Sequence, residues 1–380
     1  MSSSEAAEQR AAAFQCVHPE QFYQRFISHG IRPDGRLLAS CRPMVIGSGH
    51  VNSAVDGEAA VVGGAVGSAT ARCGSTSAIA AVTLSVGTPL EASPGRGDVD
   101  VQVALGPLCD AARFGIGPQP REAAALGALL KRVLVQGQLG GGKVDPERPN
   151  ASASTTAPRT AAGTATSTSA STAPFLDLSQ LCISHGVAAW QLHLDIVIIA
   201  HDGAIADVAL AAAVGALQNT VLPAIDARSV SMDTAPQGGG TRNGSAGGAG
   251  PQGKVVIVAN QNDMDCDTDP AAARNEDGNG RFASRALILR ALPVALSFVV
   301  MSAANAETLE LLADPTAEEE ALACGCLTVV KDTDGRVLAL SMPGSLALQE
   351  TQISQAIDQC DERVVAVTDA LHLGLRDVHA

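Results

Sequence analysis

Aromatic side chains are scarce: seven Phe, one Tyr and one Trp make up 2% of the 380 residues. The core must therefore be built from Ala, Val, Leu and Ile, within an apolar share of 46%. Basic residues are also few. Twenty-five Lys and Arg face 39 Asp and Glu, a formal charge of −14. That balance excludes a protein whose whole surface grips a polyanion. Any nucleic-acid contact must come from a local basic patch or be shared with partner chains. No apolar run approaches the ~20 residues needed to cross a bilayer. The opening MSSSEAAEQRAAAFQ has no basic start followed by an apolar stretch, so no secretory signal or membrane contact is expected. The nine cysteines include no CxxC pair and no grouping of four zinc ligands, so reduced thiols in a cytosolic or nuclear protein are expected, with no metal and no cofactor.

The length suits one large domain or two ordinary ones. Residues 137–174 are almost all Gly, Ala, Ser, Thr and Pro, 231–253 repeat that bias, and 260–281 are acidic and polar. Such segments bury too little apolar area to offset ordering entropy, so they are expected to be disordered insertions. The rest alternates strands and helices. A helical pattern at 19–28 precedes strands at 41–47, 57–63, 68–72 and 77–86. Apolar spacing predicts a helix over 121–135. A strand over 187–200 leads through an acidic turn to a helix over 206–218, which stops before Pro223. Further strands are expected at 286–290, 295–301, 307–312 and 324–331, then an Asp334-Gly335 hairpin turn into 336–342. Cys324-Gly-Cys326 is read as strand, with both thiols on one face. A long helix over about 348–373 closes the pattern. Two strand-rich halves that each carry helices argue for an α+β fold of two similar subdomains. The expected division is an N-terminal extension and helix over 1–30, a first domain over 31–225, a linker over 226–282 and a second domain over 283–376.

Two stretches stand out for chemistry. In LDIVIIAHDGAIAD an apolar strand ends among the acids Asp195, Asp202 and Asp207. Such acids can hold a metal, move protons, or form a polar turn that caps the helix starting near 206. His201 beside Asp202 suggests acid–base work, yet no nucleophile with a local signature accompanies it. In IRPDGR, Pro33 and Gly35 set a stiff turn. Arg32 and Arg36 then either project toward acids of a neighbouring chain or a phosphate, or are simply solvated. The glycines at 63, 64, 67 and 74 lack the lysine and spacing of a nucleotide loop, and the eight histidines form no HxH or HExxH set.

The position of the RPDGR turn, about thirty residues in and ahead of the first strand, resembles the RNase PH family. More of the chain agrees in order and spacing: Pro107-Leu108-Cys109 with Arg113-Phe114 and Gly117-Pro118; Asp177-Leu178 with Leu181-Cys182-Ile183 and Trp190; Pro293-Val294-Ala295 with Ser297-Phe298; and Asp314-Pro315-Thr316 with Glu318-Glu319-Glu320. Together with His18-Pro19 and Gln21-Phe22-Tyr23 ahead of the turn, the sequence is most similar to the non-catalytic, RNase PH-like ring subunits of the eukaryotic RNA exosome.

The resemblance implies two RNase PH subdomains, the first βαβ-rich and related to the ribosomal S5-like fold. It implies a six-membered ring around a channel for single-stranded RNA. The implied partners are other RNase PH-like ring subunits, S1/KH-type cap subunits and RNA. The implied setting is rRNA processing and mRNA decay in the nucleus, nucleolus and cytoplasm. Arg113, Arg121 and Arg132 fall on the loop and helix that active members use for phosphate and RNA. The resemblance also implies that active members follow the acid after the strand with a Gly-Ser/Thr-Arg run that cradles phosphate. Here Gly203-Ala204-Ile205-Ala206-Asp207 stands in that place, so Ile205 and Ala206 replace a hydroxyl and a guanidinium, and Asp207 would repel the anion. No catalytic residue is therefore expected, and Asp195, Asp202 and Asp207 are read as a degenerate former active-site turn. Arg32, Asp34 and Arg36 are candidates for a subunit interface. The rival reading is a phosphate-dependent 3′-to-5′ exoribonuclease active only with a partner subunit.

Overall fold

The computed structural model describes residues 11, 13–49, 64–109, 120–136, 175–223, 225–226, 281–282, 285–302, 309–344 and 347–376. The expected strand at 57–63, the segments 137–174 and 231–253, and Arg113 lie outside the described residues. Among the described residues no helix is long and apolar enough to cross a membrane.

After a helical run over 13–17, α1 (Pro19–Ile27) starts with Pro in its first turn, where the missing N–H costs nothing. The first sheet then forms from β1 (Met44–Ser48), β2 (Gly67–Cys73), β3 (Thr76–Gly87), β4 (Asp98–Leu105), β5 (Cys182–Ser184) and β6 (Ala188–Ala200). Its order is β1-β2-β3-β6-β4, with β5 also on β6. All pairings are antiparallel except β4 with β6. The strand β4 is not among the expected elements, although its alternation is plain: Val99, Val101, Val103 and Leu105 are buried, and Asp98, Asp100, Gln102 and Ala104 alternating with them are more exposed. A parallel pair needs a crossover. Here the crossover carries α2 (Arg121–Lys131), which rests on β4 and continues as a π-helical turn over Arg132–Gln136. The expected helix over 121–135 therefore changes its winding at Arg132.

The next helix, α3 (Ile205–Gln218), is buried from Asp207 to Leu217. A helix that is apolar all round belongs between layers. It contacts β1, β2 and β3 on one side and the second sheet on the other. Its alanines at 209, 211, 212, 213 and 216 allow that close approach. After two short pairings, β7 (Val221–Leu222) with β10 (Arg285–Ala286) and β8 (Ile225–Asp226) with β9 (Arg281–Phe282), the second sheet follows. The strand expected over 286–290 is thus only a two-residue pairing, with a single bridge from Leu289 to Leu176.

The second sheet is β11 (Pro293–Ser302), β12 (Leu309–Ala313), β13 (Gly325–Asp332) and β14 (Val337–Ser341), antiparallel in the order β12-β11-β13-β14. A six-residue helix, α4 (Ala317–Leu322), links β12 to β13. The Asp334-Gly335 turn forms as expected, with Gly335 at φ 82°. Cys324 instead precedes β13 as an exposed residue, while Cys326 is half-buried against α1. The last helix, α5 (Glu350–Arg376), contacts β1 and also β11 and β13.

Three apolar clusters result. The largest joins the first sheet to α2, α3 and α5 and includes Trp190. A second lies between the second sheet and α5, around Phe298, Leu327 and Val329. The third covers the opposite face of the second sheet, where Tyr23 and Ile27 of α1 meet Val299, Met301 and Leu312. Each fully buried Leu or Ile contributes about 1.5–3 kcal/mol relative to exposure. An aromatic-poor chain thus reaches an ordinary core through many aliphatic contacts.

Candidate functional site

The Pro-Asp-Gly turn, the acidic turn and the Asp-Pro-Thr segment meet at one place, between the two sheets. Asp314 sits at the centre. Its carboxylate accepts from Arg42 N at 2.6 Å, Nε at 3.0 Å and Nη2 at 2.8 Å, and from Arg36 Nη1 at 3.2 Å. Burial alone would raise its pKa, but the Arg42 hydrogen bonds and charge outweigh burial and hold it below the usual carboxylate range. Its backbone is left-handed, φ 49°, an uncommon geometry without glycine. Arg42 also donates through Nη1 to the Asp202 carboxylate at 3.0 Å and through Nη2 to Pro315 O at 3.1 Å.

Arg32 does not project from its turn. It is fully buried, and its guanidinium donates to the backbone oxygens of Leu38, Ala313 and Asp314 and reaches Glu319 Oε2 at 3.5 Å. The expectation that Arg32 meets a neighbouring subunit or a phosphate is corrected: three carbonyls within its own chain offset the desolvation of the cation. Arg36 turns inward too, donating to Asp314 and, through Nε, to Asp34 Oδ2 at 2.5 Å. Asp34 stays at the surface, its carboxyl held low by the Arg36 hydrogen bonds in spite of partial burial.

The three consecutive glutamates of α4 take three directions. Glu318 accepts from the Tyr23 hydroxyl at 2.6 Å, tying α1 down. Glu319 closes a capping box, accepting from Thr316 N at 2.9 Å while Thr316 Oγ1 accepts from Glu319 N at 3.4 Å. Glu320 accepts from Ala204 N at 2.8 Å, so its carboxylate satisfies an unpaired donor at the start of α3. None of these partners was anticipated, because each lies more than a hundred residues away in sequence or depends on the cap.

The three acids of LDIVIIAHDGAIAD are not one cluster. Asp195 points to the exposed outer face of β6, between buried Leu194 and Ile196. Asp202 is in the turn, 37% exposed and bound to Arg42. Asp207 does not cap α3. The N-cap is Ala204, itself left-handed at φ 48°, with no side-chain hydrogen bond. Asp207 lies in the first turn of the helix and fully buried, accepting from Ser297 N at 3.1 Å and from Ser297 Oγ at 2.7 Å. Burial pushes its pKa up to about 7, against the pull of Arg363 and Ser297. It therefore bonds α3 to β11 and does not face an anion at the turn. Arg363 of α5, missed by sequence reasoning, completes the network by donating to Arg42 O at 2.7 Å and to Cys73 Sγ at 3.4 Å.

Arg121 and Arg132 are exposed, on α2 and on the π-helical turn that follows. The structure does not bring them into the Asp314 network. The histidine beside the acidic turn, His201, accepts from Gly203 N through Nδ1 at 3.2 Å and sits near Glu320. Among the described residues no group of His, Cys, Asp and Glu could hold a metal ion.

A βαβ-containing sheet and an antiparallel sheet, locked by two shared helices and a buried Arg–Asp junction, define a two-domain RNase PH fold. A chain of the Archaeoglobus fulgidus exosome with RNA bound to the active site shares it, with a TM-score of 0.57 over 95% of this chain and 97% of that one at 20% identity. An archaeal exosome core chain gives a TM-score of 0.55 at 19% identity. The chain belongs to the 3′ exoribonuclease family: domain 1 of that family matches residues 40–223 and domain 2 matches residues 291–360.

Among curated proteins it is similar to exosome complex component rrp43 of Schizosaccharomyces pombe, 26% identical over 210 residues, covering 55% of this chain and 60% of that protein. It is similar to exosome complex component Rrp42 of Methanosarcina mazei, 23% identical over 310 residues, covering 82% and 81%. It is also similar to exosome complex component RRP45A of Arabidopsis thaliana, 21% identical over 352 residues, covering 93% and 84%. The match to rrp43 thus spans less than two thirds of that protein's length.

Proposed function

We propose that this chain is a ring subunit of an RNA exosome that supports 3′-to-5′ RNA processing and degradation without catalysing it. The observation that carries the non-catalytic part is how the acidic turn is used. Asp202 is engaged by Arg42, the Ala204 N–H is engaged by Glu320, and Asp207 is buried against Ser297. Ile205 and Ala206 supply neither a hydroxyl nor a positive charge. Phosphorolysis needs a held phosphate and a carboxylate near the leaving oxygen, and these residues are committed to joining the two subdomains.

In this reading the chain works by assembly beside other RNase PH-like subunits and under S1/KH-type caps, in the nucleus, nucleolus and cytoplasm. Arg121 and Arg132, with Arg113, give weak sequence-independent phosphate contact along the RNA path. The test is gentle purification of the tagged chain from its own cells, followed by RNA decay assays on the complex. Several RNase PH-like chains should co-purify, and Asp202→Ala should leave the decay rate unchanged. Phosphate consumption that rises with the dose of this chain and is lost in Asp202→Ala would establish the partner-dependent phosphorolytic enzyme instead.

A further inference from the structure

Only two of the 19 prolines follow a Ser or Thr, and both lie between β3 and β4: Thr88-Pro89 and Ser93-Pro94. The second continues as Ser93-Pro94-Gly95-Arg96, with a basic residue three places after the serine. In the corresponding place after Thr88 stands an acid, Glu91. The connection over 88–97 has neither helix nor strand. Leu90 is 62% exposed, and Glu91, Ala92 and Arg96 are exposed around half-buried Ser93. Two turns shape it: Ser93 N donates to Leu90 O at 2.9 Å and Arg96 N to Ser93 O at 3.2 Å. Its base is held by the neighbouring segment, with Gly186 N donating to Pro94 O at 2.9 Å and Gly97 N to Leu178 O at 3.1 Å. An exposed, irregular connection on a fixed base is where a modifying enzyme can reach the chain.

We infer that Ser93 is a phosphorylation site, modified by a proline-directed protein kinase. A following proline has no N–H to leave unpaired in an apolar enzyme pocket, and it disfavours helical backbone at Ser93, which suits an extended substrate. Arg96 supplies a planar cation for an acidic or phosphate group of the enzyme. In the transfer, Ser93 Oγ attacks the γ-phosphorus of ATP. The new O–P bond forms as the bond from that phosphorus to the bridging oxygen breaks, ADP leaves with the electron pair, and the hydroxyl proton passes to the kinase's carboxylate. The product carries about −1.5 to −2 charge at pH 7. Cations surround the place where it would sit. Arg96 begins in the same turn, and the exposed His185 ring is 3.3 Å from where a Cβ on Gly95 would lie. The Asp177 carboxyl is held low first by its bond from Ser179 N, at 3.0 Å, and further by Arg290 and Arg96, which sets both guanidiniums near it. A phosphate on Ser93 would tie the β3–β4 connection to the segments carrying His185 and Arg290.

The inference is independent of whether the chain catalyses RNA decay. The folded full-length chain is incubated with a purified cyclin-dependent protein kinase, a proline-directed enzyme, and radiolabelled ATP, and the labelled residue is located by peptide mass spectrometry. Ser93 should take up the label. Ser93→Ala should abolish it and Thr88→Ala should leave it unchanged, while both variants melt with wild type. Arg96→Ala should slow labelling about tenfold, the loss of one charge-assisted contact. The same phosphopeptide should be present in chain purified from growing cells with phosphatase inhibitors. Equal labelling of wild type and Ser93→Ala, or label confined to Thr88 or to the Ser/Thr-rich segment 151–173, overturns the inference. So does label on the denatured chain but not on the folded one, or a Ser93 peptide from cells that carries no phosphate.

Discussion

Two buried carboxylates respond to pH in opposite senses. Asp314 is held ionised by Arg42, with its pKa below the unfolded value. Its contribution to stability is present above the unfolded pKa and is lost as pH falls through the folded one. Asp207 is raised from 3.8 to about 7, so the folded state binds more protons than the unfolded state between those values. Stability therefore falls as pH rises through that window, and the penalty is complete above it. Asp207→Asn keeps an acceptor for Ser297 and cannot ionise. It should melt above wild type at pH 8, with the gap narrowing toward pH 5; parallel melting curves across that range would show that Asp207 does not titrate as its burial implies. Asp314→Ala leaves Arg42 and Arg36 without their shared partner, and removal of one side of a buried pair costs about 3–5 kcal/mol. Urea unfolding at pH 7 measures it, and a loss below about 1 kcal/mol would place the junction's stability elsewhere.

At the scale of elements, α4 is too short to be stable by itself and is held by what its ends contact. Its capping box should make Thr316→Ala cost about 1 kcal/mol. The contact of the acidic turn with the start of α4 is closer still. Gly203 has φ 82°, and a Cβ placed there would lie 2.1 Å from Pro315 O. Gly203→Ala is thus strained twice, by conformation and by collision, and should cost more than Thr316→Ala. A thermal melt that ranks the two in the opposite order would mean that the turn and α4 can separate freely. The glycine could be seen in the sequence as part of a turn; the backbone it faces, 112 residues on, could not. The helix α3 shows the converse. Its boundaries were readable within a residue, since the run of Ala, Val and Leu before Pro223 sets them. Its burial on all sides was not read, because periodicity does not reveal what covers the second face.

For the whole molecule, α3 and α5 each contact both sheets, so the subdomains share a core instead of meeting at a hinge. The sole tryptophan, Trp190, reports on the first sheet, while a label on half-buried Cys326 reports on the second. The two probes should give coincident unfolding midpoints in urea. Separated transitions would mean that the Asp314 junction is weak and that each subdomain has its own stability. The same junction draws on the acidic turn: Asp202 is held by Arg42, the Ala204 N–H by Glu320, and Asp207 by Ser297.

The sequence by itself determined the two-subdomain α+β plan, most element positions, the aliphatic core and the family resemblance, since these follow from local pattern and motif order. It also holds the alternation of β4, with Val99, Val101, Val103 and Leu105 on one face. Only the tertiary structure decided what the charged motifs do. Arg32 and Arg36 read from sequence as outward-facing, and Asp195, Asp202 and Asp207 as one turn. In the fold the arginines face inward to Ala313 and Asp314, and the acids separate into a sheet face, a turn and a buried helix. A charged side chain has no periodicity to show its direction. Its partners are fixed by chain crossings such as Arg42 to Asp314, 272 residues apart, that no local pattern encodes.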